Sequence, residues 1–263
     1  MYEDEIARVL SAGIPPIELQ VAAIRRCDTD EPRGYAVRAV VNSLDLGTLT
    51  PADYLQYTDA DAIGLALLAR TIEKSFTALG GVTAAGGRTP IVVHAPLLLL
   101  AEKEPERWLA EVLSRVSPSD PQALCLCFDA RLLTGYGTDT RERLLRLKRS
   151  GAAIAVKGCG ADDVPLAPLL RLPVDFAFLS PEATALAGDR IHNSALSGLV
   201  TYLSGMGQAV IAEGVTSEAQ RRALDSMECD GYLPSEALLK GSGRQLWAAP
   251  APLTEETGGT DIG

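Results

Sequence analysis

Three polar residues of this chain follow short apolar segments, at positions where a buried strand would end. Lys157 follows the run at 153–156, Glu213 follows the run at 210–212, and His94 ends the run that begins at Ile91. A carboxylate such as Glu213 can bind a hard cation such as Mg²⁺. A desolvated lysine loses its proton more easily and can form a Schiff base. The residue types alone therefore allow metal, covalent or purely binding chemistry.

Each of these residues also has a structural interpretation. Lys157 can supply the positive charge that Glu213 needs, because an unpaired buried carboxylate is costly. His94 can be a structural histidine or line a pocket. Gly158 and Gly160 can form an anion-binding nest, but two glycines at this spacing are a weak signal. We favour Lys157 as a charge partner of Glu213 over Lys157 as a Schiff-base residue.

The cysteines predict reduced thiols in a cytoplasmic protein. Their number is odd, and they are scattered along a chain that begins without an export signal. One residue separates Cys125 from Cys127, which is the wrong spacing for a CxxC redox pair. We expect buried strand positions for these two. The five cysteines are Cys27, Cys125, Cys127, Cys159 and Cys229.

The acidic charge balance argues against several classes of partner. The chain of 263 residues carries 34 acidic and 24 basic side chains, for a net charge of −10. Such a chain gains no counterion-release energy from nucleic acid, and anionic membrane surfaces are disfavoured for the same reason. The longest apolar run, from Ile91 to Ala101, is interrupted by His94 and Pro96 and is too short to span a bilayer. We expect no nucleic acid and no membrane as partners.

The elements that must position these residues begin with a hairpin. Strands at 17–24 and 35–41 are joined by the short polar segment 28–34, which has no room for a crossover helix, so we expect them to be antiparallel. Helical or short connecting segments then alternate with strands. The predicted helical segments are 51–57, 60–78, 105–116, 140–150, 166–170, 191–205 and 217–227. The predicted strands are 90–94, 123–128, 152–156, 174–179, 209–212 and 229–233.

This alternation predicts an α/β fold, a single TIM-like (β/α)8 barrel with an antiparallel first strand. We expect an N-terminal helix within residues 1–15, the barrel over residues 16–248 and a disordered acidic tail over residues 249–263. Apolar runs such as 153–156 suit strands that are covered on both faces. Lys157 and Glu213 would then lie at the C-terminal ends of barrel strands, where barrel enzymes carry their sites.

Several segments carry motifs of a known family. Leu172–Phe176 is similar to an LPVDYLKID strand, and Val210–Val215 to a VVAEGVET strand. Gly47, Pro51 and Tyr54 keep the spacing of a GxxxPxxF segment. With the hairpin and the later alternation, the chain resembles the EAL-domain family, the cyclic-di-GMP phosphodiesterases, from about residue 16 to residue 240. The resemblance implies the same barrel, with carboxylates at the strand ends that hold two divalent metals.

Most of the positions that the resemblance marks as catalytic are changed. The Glu of the GxEAL signature corresponds to Tyr35, and the Asn of the next strand corresponds to His94. The Glu of the LxLEITE strand corresponds to Cys127, and the DDFG pair corresponds to Lys157 and Gly158.

The remaining motif positions follow the same trend. The Lys of LKID corresponds to Phe178 and its closing Asp to Ser180, whereas the Glu of AEGV is retained as Glu213. One carboxylate cannot hold two metals, and Lys157 would place a cation where a metal should sit. Asp162 and Asp163 could rebuild a ligand set only by an unusual path of the loop. We expect no catalytic residue, no metal and no cofactor.

The resemblance then implies a bacterial, cytoplasmic pseudoenzyme in cyclic-di-GMP-type signal transduction. We expect a regulatory or protein-binding module that acts through a protein partner or as a homodimer. One alternative is a receptor that binds cyclic-di-GMP without hydrolysis, with Arg38, Lys157 and Glu213 as ligand-binding residues. A residual phosphodiesterase is the other. We also expect the side chains of Lys157 and Glu213 to approach within about 4 Å of each other.

Overall fold

The computed structural model describes residues 16–58, 62–84, 90–116, 123–135, 139–189 and 191–235, with the isolated positions 6, 8 and 137. Within the segment 1–15, Ile6 and Arg8 are helical. The other residues of that segment lie outside the described residues. The same holds for residues 236–248 and for the expected tail at 249–263.

The described residues form the predicted barrel. Its strands are β1 (Ile17–Arg25), β2 (Pro32–Ser43), β3 (Gly47–Leu49), β4 (Ile91–His94), β5 (Leu124–Asp129), β6 (Ala153–Cys159), β7 (Phe176–Leu179), β8 (Ala209–Val215) and β9 (Gly231–Pro234). Its helices are α1 (Pro51–Thr58), α2 (Ala62–Ala84), α3 (Leu98–Ala101), α4 (Pro105–Val116), α5 (Ala130–Thr134), α6 (Thr140–Arg149), α7 (Leu166–Leu169), α8 (Pro181–Ala185), α9 (Asn193–Gly205) and α10 (Glu218–Ser226). None of these helices is long and apolar enough to cross a membrane.

The antiparallel first strand is confirmed. β1 pairs with β2 from Ile17 opposite Val41 to Ile24 opposite Gly34, and β1 also pairs antiparallel with β9. From β2 the sheet continues through β4 to β9 with parallel neighbours. The sheet therefore closes on itself as a barrel of eight strands.

β3 is an additional strand that the sequence analysis did not predict. It pairs antiparallel with the end of β2 and stays outside the closed barrel. The Ser43 hydroxyl accepts hydrogen bonds from the backbone N–H groups of Asp45 and Leu46, each 3.2 Å long, and so reverses the chain after β2. Tyr54 of α1 then donates a hydrogen bond of 2.7 Å to the Ala39 carbonyl, which fixes this segment against β2.

The short helices α3, α5 and α8 were also not predicted, because each follows its strand almost directly. At the end of β5, the Asp129 carboxylate accepts a hydrogen bond of 3.0 Å from the Arg131 N–H and caps α5. Ser180 caps α8 in the same way through the Ala183 N–H, at 3.1 Å, with Pro181 as the first helical residue.

The side chains of the strands separate into two cores. One core lies between the strands and the helices. The other fills the inside of the barrel with Ala22, Ile24, Ala36, Val92, Cys125, Cys127, Ala155, Phe178, Ile211 and Leu233. These ten side chains are all buried. The inside of the barrel is therefore packed with small and apolar groups, and only residues near its two ends can carry chemistry.

Candidate functional site

Strand alternation brings most of the predicted site residues to one end of the barrel, which we call the mouth. Successive side chains of a strand point to opposite faces, so a residue two positions after an interior residue also faces inward. Each residue of the mouth lies two positions after a residue of its own strand whose side chain faces the barrel interior. The residues placed there are Arg38, His94, Cys127, Lys157, Phe178 and Glu213.

Tyr35, which the resemblance assigns to the signature Glu, does not belong to this group. Its neighbour Ala36 faces the barrel interior, whereas Tyr35 packs against the core between strands and helices. The residue of β2 that faces the mouth is Arg38. Val37 pairs with Val93, so the next residues, Arg38 and His94, lie side by side at the ends of the two strands. Ala36 and Arg38 are thus the inward-facing residues of this part of β2, and neither carries a carboxylate.

Arg38 is oriented by a residue that the sequence analysis missed. Gln20 lies opposite Arg38 in the pairing of β1 with β2, and its side-chain carbonyl accepts a hydrogen bond of 2.7 Å from Nε of Arg38. Arg38 and His94 also line one small pocket together with Tyr54 of α1. The register of the predicted hairpin could have identified Gln20 as a neighbour of Arg38, because residues directly opposite each other in two antiparallel strands face the same side of the sheet.

Glu213 is the retained carboxylate, and burial dominates its electrostatics. Burial raises the pKa of Glu213, the charge of Lys157 lowers it, and the carboxylate of Glu182 raises it again. Lys157 is therefore close enough to interact with Glu213, but among the ion pairs of the described residues none joins the two side chains. The expected contact within 4 Å is wrong.

The reason lies in the strand order. β7 separates β6, which carries Lys157, from β8, which carries Glu213. Neighbouring strands are about 4.8 Å apart, so the two backbones are separated by about 10 Å. Phe178 of β7 pairs with Lys157 on one side and with Ile211 on the other. A buried aromatic ring thus stands on the strand between the cation and the carboxylate.

Cys127 completes this part of the mouth as a neutral thiol. Burial raises its pKa to about 12, the Lys157 charge lowers it, and Glu213 raises it. A thiol with such a pKa remains protonated at neutral pH. The LxLEITE position therefore offers no anionic ligand.

Gly158 lets the side chain of Lys157 point into the mouth, whereas the side chain of the residue after Gly158 packs in the core between strands and helices. The pairing of β6 with β7 shifts register between Lys157 and Cys159, and Gly158 has φ +87°. A similar shift occurs in β8, where Gly214 with φ +82° follows Glu213. Such bulges re-aim side chains at the ends of barrel strands. They explain why a glycine directly follows each of these two charged residues.

Two other carboxylates near the mouth, Asp129 and Asp163, already have partners. Asp129 caps α5 as described above, and Asp163 forms an ion pair of 2.7 Å with Arg131. Asp162 and Asp163 are both exposed. In the part of the chain that the structure describes, no three His, Cys, Asp or Glu side chains come together to hold a metal. Asp129 was missed as a carboxylate of this region because it lies outside the aligned catalytic positions.

The residues present do not fit the pair of divalent metals that the fold suggests. Hard cations need several oxygen ligands. Two of the inward-facing residues, Arg38 and Lys157, carry positive charge, while Cys127 is neutral and Phe178 is apolar. Glu213 is the retained carboxylate, and its burial favours the protonated form. We therefore derive no metal-dependent step for this mouth.

Comparison with known proteins agrees with this fold. The EAL domain family model matches residues 16–233. The structure is similar to that of the PaMucR phosphodiesterase in complex with c-di-GMP, with a TM-score of 0.77, 18% identity and coverage of 94% of this chain and 98% of that chain. No curated protein sequence matches the chain.

Two further solved structures are similar. The FimX EAL domain from Pseudomonas aeruginosa bound to c-di-GMP has a TM-score of 0.73 and 17% identity, with coverage of 88% of this chain and 93% of that chain. An EAL domain protein from Listeria monocytogenes EGD-e has a TM-score of 0.69 and 19% identity, with coverage of 88% and 90%. These likenesses show the fold, and the family model spans most of the sequence. The chain belongs to the EAL domain family.

Proposed function

We propose that this chain is a non-catalytic EAL domain of the bacterial cytoplasm, which acts as a regulatory or protein-binding module in cyclic-di-GMP-type signalling. The observation that carries the proposal is Lys157 on the inner side of β6, close enough to Glu213 to lower its pKa. A fixed cation beside the retained carboxylate opposes the binding of a divalent metal by charge repulsion. Without that metal the chain has no activated water for attack on a phosphodiester.

The neighbouring positions support the same conclusion. Cys127 stays protonated because burial raises its pKa to about 12. Phe178 is buried and has no oxygen to offer. The change of the LxLEITE Glu to Cys127 removes an oxygen ligand, and magnesium does not accept a neutral thiol in its place.

The proposed partner is a protein, either another chain or a second copy of this one. Sedimentation velocity of the full chain over a wide concentration range separates these cases. A dimer that dissociates on dilution supports the second copy. A monomer at every concentration rejects the homodimer and leaves a different protein as the proposed partner.

Binding of cyclic-di-GMP without hydrolysis is the second candidate. Arg38 and Lys157 both face the mouth, and cationic side chains of this kind bind phosphate oxygens. The PaMucR and FimX structures are complexes with c-di-GMP. The net charge of −10 works against a dianionic ligand.

Calorimetric titration with cyclic-di-GMP, with and without Mg²⁺, separates the two candidates. The non-catalytic module without ligand predicts no saturable heat in either buffer. Saturable heat that does not depend on Mg²⁺, and that is lost in Arg38→Gln and Lys157→Met, establishes the receptor instead. Arg107→Gln is the matched control, because Arg107 is 71% exposed and lies on α4, away from the mouth.

A further inference from the structure

Two buried cysteines meet where the first strand of the barrel closes against the last. Cys27 is the second residue after β1, and Cys229 is the second residue before β9. Both belong to the core between strands and helices. β1 and β9 pair through Arg25 and Tyr232. We propose that Cys27 and Cys229 form a disulfide bond under oxidising conditions, which joins the two ends of the closed barrel.

The backbones of the two segments are in close contact at this point. A Cβ atom added to Gly231 would lie 2.8 Å from the Arg25 carbonyl oxygen, so only glycine fits beside β1. The Cys229 sulfur lies 3.3 Å from the Val210 carbonyl oxygen and 3.4 Å from that of Gly231. Both thiols are buried in the same core beside this contact, and each shifts the pKa of the other. A disulfide requires this kind of proximity before any backbone movement.

The turn that carries Cys27 is held against β9 and α10. Arg221 of α10 donates a hydrogen bond to the Cys27 carbonyl, and the Tyr232 hydroxyl donates one to the Asp30 carboxylate. Arg25 forms an ion pair of 3.4 Å with Asp30. These contacts keep Cys27 beside Cys229 in the reduced protein. Because both cysteines lie outside the strands, a change of side-chain torsion at either one leaves the hydrogen-bond ladder of the barrel intact.

The oxidant that we propose for forming the disulfide bond is hydrogen peroxide, which accepts two electrons. Cys229 is 5% exposed and Cys27 is 1% exposed, so peroxide reaches Cys229 first. The Cys229 thiolate attacks one peroxide oxygen, the O–O bond breaks, and a sulfenic acid and a water form. The Cys27 sulfur then attacks the sulfenic sulfur, the S–S bond forms, and a second water leaves. Two thiols lose two protons and two electrons, and the peroxide takes up both and is reduced to two waters.

Burial sets the rate of this reaction. The neighbouring Cys229 and burial both raise the pKa of the Cys27 thiol, which keeps that thiol protonated and slows its attack. The pair therefore stays reduced until an oxidant is present and the turn opens briefly. The bond then closes a loop that contains most of the barrel, and a cross-link over such a loop restricts the unfolded chain strongly.

The test is oxidation of the full chain by hydrogen peroxide, followed by alkylation, intact mass measurement and peptide mapping without reductant. We expect a mass loss of about 2 Da and a cross-linked peptide that contains Cys27 and Cys229. We also expect a Tm higher by about 5 °C or more, which dithiothreitol reverses. Cys27→Ala and Cys229→Ala each abolish the cross-link, whereas Cys159→Ala, the matched buried control, retains it.

The wild-type peptide map decides the question even where a variant folds poorly. Repeating the oxidation in mild denaturant opens the turn and removes burial as an obstacle. Absence of the Cys27–Cys229 peptide under both conditions overturns the proposal. So does a map in which these cysteines carry only sulfinic acid, or are cross-linked mainly to other cysteines.

Discussion

At the scale of single residues, Glu213 has a proton equilibrium that should be visible in the stability of the whole protein. Burial raises its pKa above the ordinary value of 4.5, against the opposing effect of Lys157. A carboxyl whose pKa is higher in the folded than in the unfolded state binds its proton more tightly when folded. Its contribution to stability is therefore fully present below pH 4.5 and is lost as the pH rises through the raised pKa.

We predict that Glu213→Gln removes this loss of stability at high pH. The variant should be more stable than the wild type at pH 7, by on the order of 1 kcal/mol, because no charge is then buried. The difference should shrink as the pH falls towards the ordinary pKa of 4.5. Urea unfolding at a series of pH values measures this difference in stability. Glu111→Gln is the control, because the Glu111 side chain is exposed on α4. A difference that does not change with pH would contradict the assignment.

A double-mutant cycle tests the interaction of Lys157 with Glu213 at a distance. Lys157→Met removes the charge that partly stabilises the ionised carboxylate, so it should cost more in the wild type than in the Glu213→Gln background. Residues coupled in this way show interaction energies of about 0.5 kcal/mol or more. Unfolding free energies of the four proteins at pH 7 supply the value. Additive effects would mean that the two charges do not interact.

At the scale of elements, the end of β6 depends on two glycines with the same backbone conformation and different surroundings. Gly158 has φ +87°, and a Cβ added there would have no neighbour within 4 Å. Gly160 has φ +83°, and a Cβ added there would lie 2.8 Å from Leu199 and 2.9 Å from Ala183. These two contacts lie on α9 and α8. Gly160 therefore combines a left-handed backbone with close packing against two helices.

The two alanine substitutions separate these effects. Gly158→Ala should cost about 1 kcal/mol, the strain of a left-handed conformation alone. Gly160→Ala should cost distinctly more, because the side chains of α8 and α9 must also move. Thermal unfolding of both variants under the same conditions gives the comparison. Equal losses would mean that the packing around Gly160 adapts without cost.

The elements also show where sequence reasoning succeeds. The hairpin of β1 and β2 was predictable because its connection is too short for a helix, and β4 to β9 were predictable from apolar runs. The inward-facing residue of β2 was not, since a shift of one residue exchanges the two faces of a strand. The motif match assigned Tyr35 to the signature Glu and named Arg38 only as a ligand-binding residue, and the pairing with β4 identifies Arg38 as the residue that faces the mouth.

At the scale of the whole molecule, the two ends of the barrel carry different kinds of residue. At the end opposite the mouth, Asp175 accepts a hydrogen bond of 2.9 Å from the Ile154 N–H, and Lys148 forms an ion pair of 2.6 Å with it. Asp230 accepts a bond of 2.9 Å from the Val210 N–H in the same way. These carboxylates join the start of β7 to β6 and the start of β9 to β8.

This division explains why the family resemblance survives while the ligand set does not. Asp175 belongs to the matched LPVDF segment, and its role is structural, so that segment stays similar as long as the barrel folds. The sequence therefore predicts the fold and the direction of Lys157 and Glu213, but not their separation, which depends on the strand between them.

Hydrolysis of cyclic-di-GMP by the full chain, in the presence of Mg²⁺ or Mn²⁺, tests the central claim most directly. Chromatography of the products over a long incubation, beside a reaction without protein, gives the rate. We predict no turnover above that blank, because Lys157, Arg38, Cys127 and Phe178 leave the mouth without a ligand set for two metals. Turnover clearly above the blank that is abolished by Glu213→Ala would contradict the account.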